Sequence, residues 1–400
     1  MTIGFRAAAT RTDSMGSLAF ANPRRSVHPR PQKARLRLRL EPILPVLVLV
    51  LVACQGEPPD DRGASPSVGE PPGTGFVACE LTSAGGIDDK SFNASAYAGL
   101  TLAQTELGVE PSVIESQAES DYAPNIDALI DKGCDLIVTI GFPIAGATFE
   151  AARDHPDQKF AIVDVGPIDP ETQERVELDN VRELSFATDE AAFLAGYLAA
   201  GMSGTGTIGT FGGAEIPPVT RIMDGFWAGI AKYDRDAVGD VRLIGWDPEN
   251  PRAGLFTGDF VNQDAGRTAA EHLIGEGADI ILPVAGPVGI GAAAVAQDAG
   301  DVKMIWIDTD GCVSASEFCP QFLTSVVKNI DLAVFEQVKA MVEGRFVGGL
   351  YRGTLENGGV SIAPFHEFDA RVPPELKSRI DELTQAIIDG SVSVDPADYR

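Results

Sequence analysis

The residues of this 400-residue chain that could bind or react gather in a few short stretches. One runs from Ser83 to Asn93 and contains Asp88-Asp89-Lys90-Ser91-Phe92-Asn93. Others are Gly141-Phe142-Pro143, Asp164, Trp246 to Phe256, Gly286, and Asp308 to Gly311. Aromatic faces can sandwich a ring, and carboxylates accept hydrogen bonds from N–H and hydroxyl groups. Phe92, Phe142 and Phe256, set among aspartates and glycine backbones, therefore suit a planar, polar, mostly neutral ligand. Bond-making chemistry is poorly provided for. The chain has no G-x-S-x-G nucleophile elbow and no evident Cys–His pair. With four histidines and no C-x-x-C pair, the sequence speaks against a zinc site.

The stretches share one position: each follows a short apolar run. Phe76 to Leu81, Asp135 to Ile140, Lys159 to Val163, Thr207 to Phe211, Val241 to Trp246, Asp279 to Val284 and Lys303 to Ile307 read as strands. Between them lie segments with helical spacing, such as Ser91 to Leu107, Tyr122 to Lys132, Ala191 to Met202 and Gly289 to Ala299. Buried strands alternating with helices imply parallel sheets covered on both faces. Two such blocks in succession imply an α/β protein of two doubly wound lobes, with ligands beyond the carboxyl ends of the strands. The expected division is lobe one over 76–186 with about 311–328, lobe two over 187–310 with about 329–365, and a C-terminal extension over 366–400.

The amino-terminal part has a different character. A basic stretch (Arg35, Arg37, Arg39) precedes an apolar run from Pro42 to Ala53, and Leu51-Val52-Ala53-Cys54 closes it in the bacterial lipobox pattern. This predicts a lipoprotein signal peptide over 1–53, lipid attachment at Cys54 and a flexible linker over 54–75 rich in Pro, Gly, Ser and Asp. An uncleaved signal anchor is the other reading of the run, and Met15 is a second candidate start. The formal net charge is -27, and nine of the 31 basic and two of the 58 acidic residues precede Cys54. The remainder thus carries 22 basic against 56 acidic residues, a surface that excludes nucleic acid as a partner. Cys312 and Cys319 are spaced for a local disulfide, whereas Cys79 and Cys134, each in an apolar run, read as buried thiols.

Five segments together resemble the basic membrane protein family of bacterial lipoproteins. They are Gly85 to Asn93; Glu190 to Gly196; Phe211-Gly212-Gly213 through Pro218 to Asp224-Gly225-Phe226; Trp306 to Asp310; and Leu323 to Lys328. The best-understood arm of that family comprises the purine nucleoside receptors of ABC transporters. The resemblance implies a type I periplasmic-binding-protein fold, with two Rossmann-like lobes joined by a multi-strand hinge. It also implies a non-enzymatic substrate-binding lipoprotein of an ABC importer, exported and lipid-anchored at the membrane. Its partners would be a nucleoside-like solute, purine favoured, and permease and ATPase subunits, with no cofactor.

By that resemblance Phe92 matches the first base-stacking phenylalanine and Phe256 the opposing one. Asp308, Asp310 and Lys328 resemble the carboxylate and ammonium groups that bind ribose hydroxyls, with Asp310 the expected direct contact and Asp308 serving the backbone. Asp89 joins the site at the start of the first helix, where Asp88 caps. Asn93 donates to the base or caps the helix, Asp164 reaches the base edge or ends a turn, and Gly286 admits the ligand close to backbone. The sequence departs from the pattern at Ser83, where nucleoside receptors carry an aspartate that reads the purine edge, and at Gly286-Pro287-Val288-Gly289. A sensor or surface lipoprotein without a permease is the alternative function. A nucleoside hydrolase is disfavoured, because the first strand ends in Glu80, Thr82 and Ser83 rather than a carboxylate cluster.

Overall fold

The computed structural model describes residues 70–237 and 239–400. The leader, Cys54 and most of the linker lie outside the described residues. In chain order the elements are β1 (Val77–Thr82), α1 (Phe92–Leu107), β2 (Glu110–Glu115), α2 (Tyr122–Lys132), β3 (Leu136–Ile140), α3 (Ala145–Asp154), β4 (Lys159–Val163) and β5 (Val181–Phe186). Next come α4 (Thr188–Met202), β6 (Thr207–Gly212), α5 (Pro217–Ala237), β7 (Arg242–Ile244), α6 (Gln263–Gly275), β8 (Ile280–Val284), α7 (Val288–Ala299) and β9 (Lys303–Asp308). The chain ends through α8 (Gly311–Ser314), β10 (Phe322–Lys328), α9 (Ile330–Val342), β11 (Gly349–Gly353), β12 (Val360–Ile362) and α10 (Pro374–Ile388).

Two six-stranded sheets result, ordered β11-β5-β4-β3-β1-β2 and β12-β10-β9-β8-β6-β7. All paired strands run parallel except β10 with β12. The central strands are buried along their length, as Leu136-Ile137-Val138-Thr139-Ile140 illustrates. Runs of this kind, buried on both faces, lack the alternation of a half-exposed strand. Between sheets and helices, α4 packs against α5 at backbone distance. A Cβ at Gly196 would meet the Phe226 carbonyl, and one at Gly229 the Phe193 carbonyl, so only glycine fits at either crossing point.

The division of the chain differs from expectation after β9. Strand β10 stays in the second sheet, paired with β9, instead of crossing to lobe one. Leaving that edge of β9 unpaired would strand buried backbone groups. The return to lobe one is made by α9, whose Asp331 and Val334 lie against Gly99 of α1, and by β11, which pairs with β5. The chain thus passes between lobes after β5, after β10 and between β11 and β12. The C-terminal extension belongs to lobe two. Leu376, Ile380 and Leu383 of α10 are buried in its core, and Arg379 pairs with Asp236 at 3.0 Å.

Both cysteine pairs are disulfides. Cys312–Cys319 closes the local loop as expected, but Cys79 and Cys134 are bonded too, at a Cα separation of 5.9 Å, and are not free thiols. Cys79 lies on β1, and Cys134 lies two residues before the neighbouring strand β3, so the sheet brings together two cysteines that are 55 residues apart in sequence.

Candidate functional site

Between the lobes lies a cavity of about 820 Å³, within the range of small-molecule sites. Its first wall is built by the entrance to α1. The Asp89 carboxylate accepts hydrogen bonds from the backbone N–H groups of Ser91 (3.0 Å), Asn93 (2.8 Å) and Ala94 (3.0 Å) and from Asn93 Nδ2 (2.9 Å). These bonds occupy the orphan donors of the helix start. Burial raises the Asp89 pKa, and the three N–H groups oppose that rise. Asp89 borders the cavity, yet its acceptor sites are consumed by capping, which is a different role from the ligand contact expected of it. Asn93 continues the chain of bonds: its Oδ1 accepts from Ser83 N at 3.1 Å and from Ser83 Oγ at 3.3 Å. Ser83 and the remaining Asn93 N–H are left as neutral polar groups on the cavity wall.

Directly beneath this entrance, Glu80 of β1 is fully buried, and neither of its carboxylate oxygens has a partner among the described residues. Burial first, then Asp89 and Glu115, push its pKa well above the usual carboxylate range. An unpaired buried carboxylate is costly, and the group neutralises instead.

The floor of the cavity is a charged triad drawn from both lobes. Lys328 Nζ, on β10, lies 3.0 Å from Asp308 Oδ1 at the end of the adjacent strand β9 and 2.6 Å from Asp164 Oδ2, just past β4 in lobe one. Ser91 Oγ donates to Asp308 Oδ2 at 2.5 Å, also across the lobes. Burial alone would lower the Lys328 pKa, but Asp164 and Asp308 more than offset it and hold the ammonium charged far into the alkaline range. For Asp164, burial raises the pKa and the Lys328 ammonium pulls it back. Both aspartates take left-handed backbone conformations, with φ of 69° and 67°, which turn their carboxylates toward the gap. Aspartate adopts this region more readily than bulkier residues. Two carboxylates against one ammonium leave a surplus of acceptors, and Asp164 Oδ1 makes no hydrogen bond among the described residues. Vicinal hydroxyls are well matched to such a set.

Phe92 stands over this floor, with Lys328 Nζ 4.6 Å from its ring centroid and Gly141 against its edge. Phe142 and Gly286 also line the cavity, so Ser83, Phe92, Asn93, Phe142, Asp164, Gly286 and Lys328 are brought together as the sequence suggested. Phe256 and Asp310 are not. Phe256 is bridged to Gly212 and packs edge-on against Trp246 at 6.0 Å. The phenylalanine that lines the cavity in place of Phe256 is Phe260, which the sequence reading missed. Its signal was the pair Gly212-Gly213: a Cβ on the first would strike Phe256, and one on the second would strike Phe260. Asp310 and Asp308 exchange their expected roles. Asp310 Oδ1 accepts from Cys312 N at 3.0 Å, and Oδ2 lies 2.7 Å from His366 Nε2, away from the cavity. The left-handed turn at Asp308 defeats simple strand alternation, and it is Asp308 that faces the cleft. Ser91, the partner of Asp308, was also missed.

Among known proteins, the ABC transporter nucleoside-binding protein BmpA of Lactococcus lactis is 28% identical over 87% of this chain and 95% of its own length. An uncharacterized lipoprotein of Pyrococcus abyssi is 30% identical over 77% of this chain and 75% of its own. A crystal structure of an ABC transporter solute-binding protein from Aeropyrum pernix superposes with a TM-score of 0.71 at 25% identity, covering 80% of this chain and 92% of that one. The two-lobed architecture is therefore the periplasmic-binding-protein fold, and the similar proteins of Lactococcus lactis and Aeropyrum pernix are binding proteins of ABC transporters, not enzymes. Residues 76–395 match the family described as ABC transporter substrate-binding protein PnrA-like, and the chain belongs to this Bmp family.

Proposed function

We propose that the chain captures a nucleoside-like solute between its lobes and delivers it to an ABC importer, with its globule held outside the cytoplasm by a lipid on Cys54. The observation that carries this reading is the pairing of a ring, Phe92, with a buried Asp164–Lys328–Asp308 floor at one interlobe cavity. The base stacks on the free face of Phe92, opposite lobe-two apolar groups that include Phe260. The ribose hydroxyls donate to Asp164 and Asp308, whose charge Lys328 maintains. Ser83 and Asn93 meet the base edge. Because a hydroxyl both donates and accepts, Ser83 is compatible with purine and pyrimidine edges alike. The sequence pattern around Cys54 supports the lipid anchor, and the relative named as a lipoprotein agrees with it. No helix among the described residues is long and apolar enough to cross a membrane.

Calorimetry of the mature globule against nucleosides, free bases and sugars tests the reading. A nucleoside is expected to bind, and Phe92→Ala is expected to weaken it by about 2 kcal/mol, roughly thirtyfold in Kd, since stacking on one aromatic ring is worth about 1–3 kcal/mol per base. Silence across all nucleosides with binding of another solute class would reject the ligand while leaving the carrier fold intact.

A further inference from the structure

Away from the cleft, Asp310, Cys312 and His366 present one ligand atom each within 4.8 Å of one another, and Cys319 is bonded to Cys312. His366 lies 56 residues from Asp310 in sequence, and its backbone takes a φ of 43°, a left-handed conformation uncommon for a non-glycine residue. The result is an imidazole Nε2 set 2.7 Å from Asp310 Oδ2. The pair is open to solvent, with side chains 29% and 23% exposed.

We propose that Asp310, Cys312, Cys319 and His366 form a zinc-class metal site that becomes available when the Cys312–Cys319 disulfide is reduced. Two thiolates, one imidazole and one carboxylate are a four-coordinate set suited to Zn²⁺. Tetrahedral geometry at zinc places ligand atoms roughly 3.3 to 3.8 Å apart. The Asp310–His366 contact therefore opens slightly on metal entry, and the two sulfurs separate once their bond is broken. The balance is simple. A dithiol reductant supplies two electrons and two protons, the S–S bond becomes two thiols, and the reductant closes into its own disulfide. Zn²⁺ then displaces one proton from each thiol, and both protons pass to solvent. In the oxidised protein the sulfurs are spent on each other and the site is closed. The loop that carries the two cysteines joins β9 to β10, so either the disulfide or the metal pins the connection between Asp308 and Lys328.

Short-range motifs miss this site because the cysteines are seven residues apart and the histidine comes from the C-terminal extension. The test uses the whole mature protein, reduced with dithiothreitol, freed of reductant under nitrogen and titrated with Co²⁺, followed by Zn²⁺. The expected result is one Co²⁺ per chain with an intense thiolate-to-cobalt absorption, displaced by Zn²⁺. The oxidised protein and the Cys312→Ser/Cys319→Ser variant are expected to give no such band, the latter showing that the buried Cys79–Cys134 pair does not contribute. His366→Ala and Asp310→Asn are each expected to weaken binding by about tenfold or more. His366 is exposed, so its loss leaves the core intact, and circular dichroism of each variant checks the fold. The proposal is overturned if reduced wild-type protein shows no thiolate–cobalt band, or if the band and affinity are unchanged in either His366→Ala or Asp310→Asn.

Discussion

Replacing Lys328 by methionine removes the ammonium from a buried site and leaves Asp164 and Asp308 facing each other. Lys328 is 4% exposed, and its ammonium lies 2.6 and 3.0 Å from the two carboxylates. Removing one partner of a buried charge pair typically costs about 3–5 kcal/mol. An independent route gives the same scale. Two carboxylates about 5 Å apart at an effective dielectric of about 20 repel by roughly 3 kcal/mol. The loss has a definite pH dependence. In the variant, burial and the like charge of Asp308, no longer opposed by the ammonium, raise the Asp164 pKa further than in the wild type. A carboxyl whose folded pKa is raised is tolerated in its neutral form at low pH and loses stability as pH rises through that folded value. The wild type loses less there, because the Lys328 ammonium pulls the Asp164 pKa back and stays charged until far more alkaline pH. Urea unfolding of both proteins from pH 4.5 to 8.5 should show a gap that is small at the acid end and widens to about 3 kcal/mol at pH 8. A gap independent of pH, or none at pH 8, would refute the view that Lys328 neutralises a mutually repelling pair.

Two further outcomes follow from the site. Asp308→Ala should abolish measurable solute binding, whereas Asp310→Ala should leave the solute Kd within about twofold, since distant surface changes are usually within about 0.5 kcal/mol; equal losses from both would restore Asp310 to the cleft. Glu80→Gln should gain stability relative to wild type as pH rises from the acid range, because the raised pKa of Glu80 means its ionisation is disfavoured in the folded protein; a difference that shrinks with rising pH in unfolding curves would show that Glu80 is charged and paired.

The legible part of this protein was the part encoded locally. Continuous apolar runs such as Leu136–Ile140 announce buried parallel strands, and their carboxyl ends locate the cleft before any coordinate is known. Ser83, Phe92, Asn93 and Asp164 lie in stretches found by that reasoning, whereas Lys328 was named only through the family resemblance; all five line the cavity. The failures share a physical cause: each depended on a contact or turn that periodicity does not carry. The Cys79–Cys134 bridge depends on which strands are neighbours. The choice between Asp308 and Asp310 depends on one left-handed residue, and that between Phe256 and Phe260 on which glycine each ring covers. The lobe assignment of β10 failed because a strand's sequence says that it is buried without saying in which sheet.

The two sheets repeat one plan, and the repeat explains why the triad spans the gap. Strand order 2-1-3-4-5 in the first lobe corresponds to 7-6-8-9-10 in the second, so β4 matches β9 and β5 matches β10. Asp164 and Asp308 then occupy equivalent strand ends, and their φ values of 69° and 67° agree. The symmetry breaks at the next strand, where β5 ends in Phe186 and β10 in Lys328. Opening the lobes would leave Lys328 paired with Asp308 on its own sheet while breaking its bond to Asp164 and the bond from Ser91 to Asp308. Asp164 would then regain water, and the desolvation that raises its pKa would lapse. Closure accordingly exchanges hydration of one aspartate for a shared ammonium, an exchange that is close to balanced for buried pairs. On the function proposed above, a ligand hydroxyl donating to the free oxygen of Asp164 would tip that balance toward the closed form and so tie ligand capture to the approach of the lobes.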